Sequence, residues 1–388
     1  MTQIIQLPFW RSSASDTPAG AAPRTTSDAP AETPPGTPAS EAPRRRERDP
    51  FFDNAKFLAI LLVVVGHAIA SLRDVPLARG LYLLIYMFHM PLFIVITGYL
   101  SRGFTFGSGK ARRLIVQLGV PYVVFEVAYS VYDWQVGNNE LKISLLDPYF
   151  LTWFLMALFL WRLSTPVWQQ IRWPLAVAVG VSLLAYMGDL GSQLELHRTL
   201  GLLPFYVLGL MLRPEHFDLV KRRGARVLGL VVMAGGAAVA FAAMNRMDSD
   251  WVYWKHDHAD FGVGNLTGTG MRLAMMVAAV VLIAAFLSLV PRRRTWFTGL
   301  GAMTLYAYLL HGFLTRLMQF TGFDDLEVWG TVPGVLGMIA IALAVGTVLC
   351  TPPVVRSMRW LMEPPLNWIF TGLRRPATAK DRVGHRVS

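Results

Sequence analysis

The sequence predicts an all-α integral membrane protein with about ten transmembrane helices and with both termini in the cytoplasm. Of its 388 residues, 54% are hydrophobic and only 16% are charged, whereas a soluble domain has about 25% charged residues. Apolar segments of helix length follow one another from Phe51 onward, and basic residues cluster in every second connecting loop. So few charges cannot cover a water-soluble body of this size, so we expect neither a soluble enzyme nor a nucleic-acid-binding protein, despite the net charge of +11.

The first 50 residues differ in composition from all that follow. From Ser12 to Pro43 the chain consists mostly of Ala, Pro, Ser and Thr, and such a segment cannot bury enough apolar surface to offset the entropy of ordering it. We therefore predict a disordered cytoplasmic tail over residues 1–50, with the basic cluster Arg44-Arg45-Arg46-Glu47-Arg48 near its end. No apolar run follows Met1, so a secretory signal peptide is not expected.

Ten apolar segments predict a membrane domain over residues 51–351. A spanning helix needs about 20 mostly apolar residues. The candidates lie at residues 53–72, 81–101, 111–132, 149–162, 174–189, 198–212, 225–245, 270–290, 298–319 and 330–351. The fourth, fifth and sixth segments are short, so their boundaries are the least well defined. Residues 352–388 are predicted to form a basic cytoplasmic tail.

The charges between these segments support the count of ten. Loops predicted to lie inside carry basic clusters, for example at 221–223 and 292–294, and loops predicted to lie outside carry mostly Asp and Glu, for example at 248–260 and 324–327. Cytoplasmic loops of membrane proteins are enriched in Lys and Arg. A wrong number of helices would invert every later loop and spoil the alternation. We therefore predict a multi-pass protein of the plasma membrane with both ends inside.

The first span carries four polar side chains on one face: Asp53, Lys56, His67 and Ser71. The step from Lys56 to His67 is eleven residues, which at roughly 100° per residue returns to within about 20° of the same direction and advances about 16 Å. Ionisable residues inside a span are costly and often mark a functional site. Four polar residues on one face predict a polar cavity or partner surface, although a single membrane histidine is often only a packed, hydrogen-bonded residue.

Two later spans repeat this arrangement. Their polar faces carry Tyr82, Tyr86, His89 and Thr97 in the second span, and Thr304, Tyr308, His311 and Thr315 in the ninth. Pro91 removes a backbone donor just past His89 and is expected to kink the helix there. His89 and His311 are equally consistent with a substrate contact and with structural packing.

Four further residues are candidates for binding. Glu126 is the one acidic residue well inside a span, and we expect its partner to be a histidine or Lys56. Trp153, near the outer end of the fourth span, suits either a substrate contact or an interfacial aromatic. Lys110 and Arg113 lie one turn apart at the cytoplasmic start of the third helix. They fit the positive-inside pattern, and they could also neutralise the phosphates of a nucleotide-like donor.

Other catalytic signatures are missing from the sequence. Cys350 is the single cysteine, which excludes an intramolecular disulfide and a cysteine-cluster metal site. No Walker motif, nucleotide-fold glycine pattern or nucleophile elbow occurs. We predict no metal site.

Four motifs together resemble acyltransferase family 3, the polytopic membrane O-acyltransferases that include the fucose 4-O-acetylase-like group. They are Asp53-Asn54-Ala55-Lys56 with Gly66-His67, Phe88-His89-Met90-Pro91-Leu92-Phe93 with Thr97-Gly98-Tyr99, Trp153-Phe154-Leu155 with Leu158, and Leu300-Gly301 with Thr304-Leu305 and Tyr308-Leu309-Leu310-His311. The motifs follow the family's order over about residues 51–351. The chain departs from many members at Lys56 and Lys110, which stand where arginine is common, and at Thr97-Gly98-Tyr99 in place of Ser-Gly-Phe.

The resemblance implies transfer of an acyl group, most often acetyl, from cytosolic acyl-CoA to a hydroxyl of a carbohydrate or glycolipid acceptor. It implies a basic residue paired with a histidine at Lys56 and His67, and a donor contact at Lys110 and Arg113. We predict that His67 is the general base, since an imidazole titrates near the operating pH, with Asp53 and Lys56 ordering the inner end of its helix face.

His89, Glu126, Trp153 and His311 are the predicted substrate contacts. A transporter or flippase for a lipid-linked sugar or a small polar solute is the alternative, because a proton-coupled carrier also needs buried ionisable groups. Against it, no internal repeat relates the two halves of the chain.

Overall fold

A computed structural model describes residues 49–363, and every regular element within that range is helical. The α-helices are α1 (Pro50–Ala68), α2 (Pro76–Ser101), α3 (Ser108–Leu114), α4 (Val120–Val136), α5 (Trp153–Trp168), α6 (Pro174–Ala185), α7 (Leu196–Gly201), α8 (Leu203–Met211), α9 (Pro214–Val220), α10 (Arg223–Ala243), α11 (Asn265–Leu289), α12 (Thr304–Thr321), α13 (Val332–Leu349) and α14 (Pro352–Met362). A π-helical turn, Ile115–Gly119, joins α3 to α4 in one continuous rod. The predicted tails lie outside the described residues over 1–48 and 364–388.

Each of the ten predicted apolar segments is helical in the structure. Six helices of the described range are long and apolar enough to cross a membrane: α1, α2, the α3–α4 rod, α10, α11 and α13. Helices α5, α6 and α8 are shorter, in keeping with the short fourth, fifth and sixth segments. Helix α12 has 18 residues but carries a polar face. A count of ten crossings and a cytoplasmic position of both termini stay predictions.

Loops that the charge pattern places on the same side of the membrane contact one another. At one end Arg102 Nη1 donates to the carbonyl oxygen of Leu212 at 2.8 Å, and Gln169 Nε2 donates to that of Arg102 at 2.6 Å. At the other end Arg198 Nε donates to the carbonyl oxygen of Tyr253 at 3.0 Å. We call these the inner end and the outer end, after the predicted orientation.

Two boundaries differ from the sequence prediction. Helix α1 ends at Ala68, and Ser71 is exposed in the turn that follows, so the predicted polar face of α1 stops at His67. Part of the predicted C-terminal tail is a helix, α14, and the hydroxyl of Tyr306 donates to Glu363 Oε1 at 3.0 Å, just past its end. The basic residues after α13 therefore begin on a helix that packs against the bundle.

Asn54 fixes the inner end of α1 to the chain that precedes α12. The side chain is fully buried and uses both of its polar atoms. Its Nδ2 donates to Pro291 O at 2.9 Å and to Arg293 O at 3.0 Å. Its Oδ1 accepts from Thr298 Oγ1 at 2.7 Å and from Thr295 Oγ1 at 3.2 Å. A conspicuous residue of the first-span motif therefore has a structural role.

Helix α6 gives the sharpest test of the crossing number, because its 12 residues reach only about 18 Å, against a hydrocarbon core of about 30 Å. In a Cys350→Ala background, Gln170→Cys and Ser192→Cys place single thiols on exposed loops before and after α6. We expect a membrane-impermeant maleimide added to intact cells to label Ser192→Cys and to leave Gln170→Cys unlabelled until the cells are opened. Labelling of both from one side would remove α6 from the crossings.

Candidate active site

The polar faces of α1, α2 and α12 meet around a cavity of about 190 Å³ near the outer end. His67 lines it from the penultimate position of α1, Tyr86 and His89 line it from α2, and Tyr308 lines it from α12. Polar side chains in a bilayer have no partner in lipid and must face one another or water. The shared face that the sequence predicts for these residues is therefore the wall of a cavity.

His67 contacts histidine and tyrosine rings from two other helices. Its Nδ1 lies 3.4 Å from the hydroxyl oxygen of Tyr86, and its ring centroid lies 5.3 Å from that of His311. The ring of Tyr86 meets His89 edge-on at 4.7 Å. A Cβ at Gly66 would lie 3.0 Å from Cε2 of Tyr86, so the glycine beside His67 permits the close approach of α2.

The backbone sets the orientation of the other two histidines. Nδ1 of His89 lies 2.8 Å from the carbonyl oxygen of Ile85, and Nδ1 of His311 lies 2.9 Å from that of Ala307. A carbonyl only accepts, so Nδ1 carries the proton in both rings and Nε2 is left as an acceptor. Nε2 of His311 is buried and has no hydrogen-bond partner among residues 49–363. The three predicted histidines are thus brought together, each with a defined geometry.

Trp153 and Arg198 close the cavity toward the outer end. Trp153, the first residue of α5, lines the cavity as predicted for a substrate contact, and the guanidinium carbon of Arg198 lies 5.0 Å from its ring centroid. Arg198 Nη1 also lies 3.6 Å from Glu195 Oε2. Nothing in the local sequence pattern marks Arg198 as a cavity residue.

A larger vestibule of about 550 Å³ lies beyond the cavity at the outer end, and Phe150 and Arg198 line both spaces. Its walls combine aromatic and charged side chains: Glu126, Asp133, Glu140, Lys142, Asp147, Tyr149, Phe150, Glu195, Arg198, Lys255 and Arg316. Tyr149 lines this space, and a tyrosine hydroxyl is protonated at neutral pH and can donate a hydrogen bond to a ligand.

Glu126 lies in the wall of the vestibule, but its partners are not those that the sequence predicts. Its carboxylate accepts from the backbone N–H of Tyr149 at 2.9 Å and from the hydroxyl of Thr152. Thr152 is the residue before α5, where a carboxylate is favoured by the unsatisfied N–H groups and by the helix dipole. The expected pairing of Glu126 with a histidine or Lys56 is therefore wrong, and the residue holds the chain that leads into α5.

Asp53 and Lys56 lie at the inner end of α1, away from His67. Lys56 Nζ and Asp53 Oδ1 form a buried ion pair at 2.7 Å. Neither residue lines the cavity, and the eleven residues from Lys56 to His67 separate them by about 16 Å along the helix. The structure thus places two of the three predicted catalytic residues together and leaves the third at the opposite end of the same helix.

Lys110 and Arg113 lie at the inner start of the α3–α4 rod. Lys110 Nζ donates to the carbonyl oxygen of Gly103 at 2.7 Å and to Thr105 Oγ1 at 3.1 Å, which closes the turn between α2 and α3. Arg113 is exposed. The predicted donor contact is thus basic and reachable from the inner side.

Arg272, in α11, organises the outer loop that roofs the cavity. The side chain is 0% exposed, and its two terminal nitrogens donate to the carbonyl oxygens of Trp251 at 2.9 Å and His256 at 2.8 Å. Its guanidinium carbon lies 3.9 Å from the ring centroid of Tyr186. The loop also supplies Val252, Tyr253 and Trp254 to the cavity wall. Arg272 lies within the predicted span 270–290, so the sequence alone carries a signal for it, an ionisable residue inside an apolar segment.

No group of three or more His, Cys, Asp or Glu side chains in residues 49–363 is arranged to hold a metal ion.

A bundle of apolar helices around a histidine-lined cavity defines a polytopic membrane protein with an enzyme-like site. The model of the acyltransferase domain family matches residues 49–351, which is most of the chain, so the chain belongs to acyltransferase family 3 and is a membrane acyltransferase. The family that the four motifs resemble is thus confirmed.

Two curated relatives match over most of their length. The chain is 26% identical over 328 residues to the nodulation protein NolL of Mesorhizobium japonicum, covering 76% of this chain and 85% of the relative. It is 26% identical over 302 residues to the nodulation protein NolL of Sinorhizobium fredii, covering 72% and 81%. No solved structure matches the chain significantly.

Arg272→Met is expected to lower stability by about 2–5 kcal/mol, because the carbonyl groups of Trp251 and His256 lose their buried partner. Acyl transfer should fall as well, since the same loop forms the cavity roof. The melting temperature in detergent and the rate of acyl transfer check both effects. Arg246→Met, at an exposed site beside the same loop, is the matched control, and a wild-type melting temperature for Arg272→Met would contradict the assignment.

Proposed function

We propose that the protein is an O-acyltransferase that moves an acyl group, most often acetyl, from cytosolic acyl-CoA to a hydroxyl of a carbohydrate or glycolipid acceptor. One observation carries this proposal: His67 lines a cavity that borders a large polar vestibule at the outer end. A base at that border can receive an acceptor from one side of the membrane and a donor from the other. Membership of the acyltransferase family supports acyl transfer over the alternative of a carrier.

His67 is the general base of the proposed reaction. It takes the proton of the acceptor hydroxyl while the oxygen attacks the thioester carbonyl. The tetrahedral intermediate then collapses to the ester, and the CoA sulfur leaves as a thiol that receives the same proton from the imidazolium. The hydroxyl of Tyr86, 3.4 Å from Nδ1 of His67, orients the ring, so that the other ring nitrogen performs the proton transfers.

The vestibule is the proposed acceptor site. Its volume of about 550 Å³ lies within the usual range for ligand pockets, about 300–1,000 Å³. Tyr149 and Phe150 offer apolar ring faces, and neighbouring carboxylates and basic groups offer hydrogen-bond partners for hydroxyls. Such a mixture of ring faces and charged groups suits a carbohydrate, which has apolar C–H faces between polar hydroxyls.

The donor is proposed to reach the cavity from the inner end. A narrow apolar gap of about 20 Å³ shares Met90 and Tyr308 with the cavity and extends to Thr304, at the inner start of α12. The described residues of its walls include no charged side chain, which suits an acyl group and its thioester arm. Lys110 and Arg113 would neutralise the phosphates of the nucleotide portion outside the bundle.

His67→Ala is expected to reduce acyl transfer by about 10²–10⁴-fold, because general-base catalysis contributes about that much. Purified protein is incubated with radiolabelled acetyl-CoA and candidate glycans, and labelled ester is measured. His216→Ala, at an exposed site of the inner end, is the control for the loss of a histidine. Wild-type turnover of His67→Ala would refute the role, and solute uptake into proteoliposomes without CoA release would favour the carrier.

Replacement of Lys110 and Arg113 together by Ala is expected to raise the KM for acetyl-CoA by roughly tenfold or more, since a charge-assisted contact contributes about 1.5–3 kcal/mol. The value of kcat should change little. Thr105→Val removes a partner of Lys110 but keeps the charge, and thus controls for damage to the turn. An unchanged KM in the double variant would mean that these residues serve topology alone.

A further inference from the structure

Phe150 stands between the vestibule and the cavity of His67. Among residues 49–363 it is one of two that line both spaces, the other being Arg198. Its ring centroid lies 5.5 Å from that of His67 in an edge-on arrangement, and the guanidinium carbon of Arg316 lies 4.5 Å from the centroid. The ring is thus held between the candidate base and a cation of the vestibule wall.

The backbone of Phe150 is in the left-handed region, with φ of 51°. A bulky residue there is an outlier, because its Cβ crowds the backbone. Such strain persists only where the surroundings impose it, and it concentrates at functional sites. A glycine would relieve the strain, so the presence of phenylalanine indicates that the ring is needed at this position.

The chain on both sides of Phe150 is anchored by hydrogen bonds. On one side the N–H of Tyr149 donates to the carboxylate of Glu126, at 2.9 Å. On the other side the carbonyl oxygen of Leu151 accepts from the hydroxyl of Tyr308, at 2.6 Å. Thr152 donates to Glu126 as well. These contacts to α4 and α12 impose the left-handed turn. The fold therefore fixes the position of the Phe150 ring.

We propose that Phe150 is a positioning residue that separates the vestibule from the catalytic cavity, so that the acyl group is passed to an acceptor hydroxyl instead of to water. The inference rests on the proposed function. An acceptor in the vestibule reaches His67 only past Phe150 and Arg198, and its own bulk then fills the passage. Without the ring, water from the vestibule reaches the thioester carbonyl, attacks it and releases the free acid and CoA thiol.

The test compares two products of the same donor. The full chain in detergent receives radiolabelled acetyl-CoA, with and without a methyl hexopyranoside as the acceptor probe. Release of CoA thiol and label in the glycoside ester are measured. Phe150→Ala and Phe150→Gly are expected to raise the ratio of hydrolysis to transfer about fivefold or more, because an opened site admits water. Phe150→Tyr should restore the wild-type ratio.

Two further variants separate the ring from the backbone and from other sites. Asn138→Gly makes a similar backbone change, at φ of 54°, on an exposed residue of the same loop and should leave the ratio unchanged. His67→Ala combined with Phe150→Gly should abolish the added hydrolysis, because it occurs at the same base. Phe150→Gly should melt above Phe150→Ala, since glycine accepts the left-handed turn.

The outcomes distinguish the two proposals. If hydrolysis and transfer fall in parallel in Phe150→Ala and Phe150→Gly, so that their ratio is unchanged, the ring has a structural role only. That result would overturn the proposed separation of the two spaces. Wild-type protein that releases no CoA thiol under either condition would overturn the proposed function itself, and the separation with it.

Discussion

Lipid offers no hydrogen-bond partner, and this constraint assembles the site. Helices α1, α2 and α12 each carry a polar face that would be strongly unfavourable against acyl chains. The three faces pack against one another and against the outer loops, so His67, His89 and His311 converge although they are far apart in sequence. The cavity is the space that remains where three such faces meet. Its chemistry and the stability of the bundle therefore depend on the same contacts.

The outer loops complete the cavity, and two buried charges hold them. Glu126 caps the chain that enters α5 and thereby places Phe150 and Trp153. Arg272 binds the carbonyl groups of the loop that supplies the roof. Both residues are ionisable groups within apolar helices, and their partners are mainly backbone atoms. The reason is that loops that fold back into a bundle bring unsatisfied N–H and C=O groups with them. Charges of this kind position the site without lining its reactive end.

The two ends of helix α1 have different roles in the proposed reaction. Its inner end carries the ion pair of Lys56 with Asp53 and the clamp of Asn54, and its outer end carries His67. Lysine at position 56 acts as a compact point charge and meets one carboxylate oxygen, where arginine would offer a bidentate fork. An arrangement with a rigid inner end and a cavity at the outer end suits a reaction whose substrates arrive from opposite sides.

Features that depend on local sequence patterns were predictable from the sequence. The ten helical segments, the polar faces of α1, α2 and α12, and the family all follow from local periodicity, composition and short motifs. Sequence spacing, however, extended the face of α1 to Ser71, because periodicity does not show where a helix ends. The partners that the sequence led us to expect for Glu126 were also wrong.

Only the tertiary structure decided how the loops return to the bundle. The backbone partners of Glu126 and Arg272, the left-handed turn at Phe150 and the sharing of two spaces by Phe150 and Arg198 have no local signature. The physical reason is that a helical face depends on neighbours three and four residues away, whereas the partner of a buried charge depends on which distant segment packs against it.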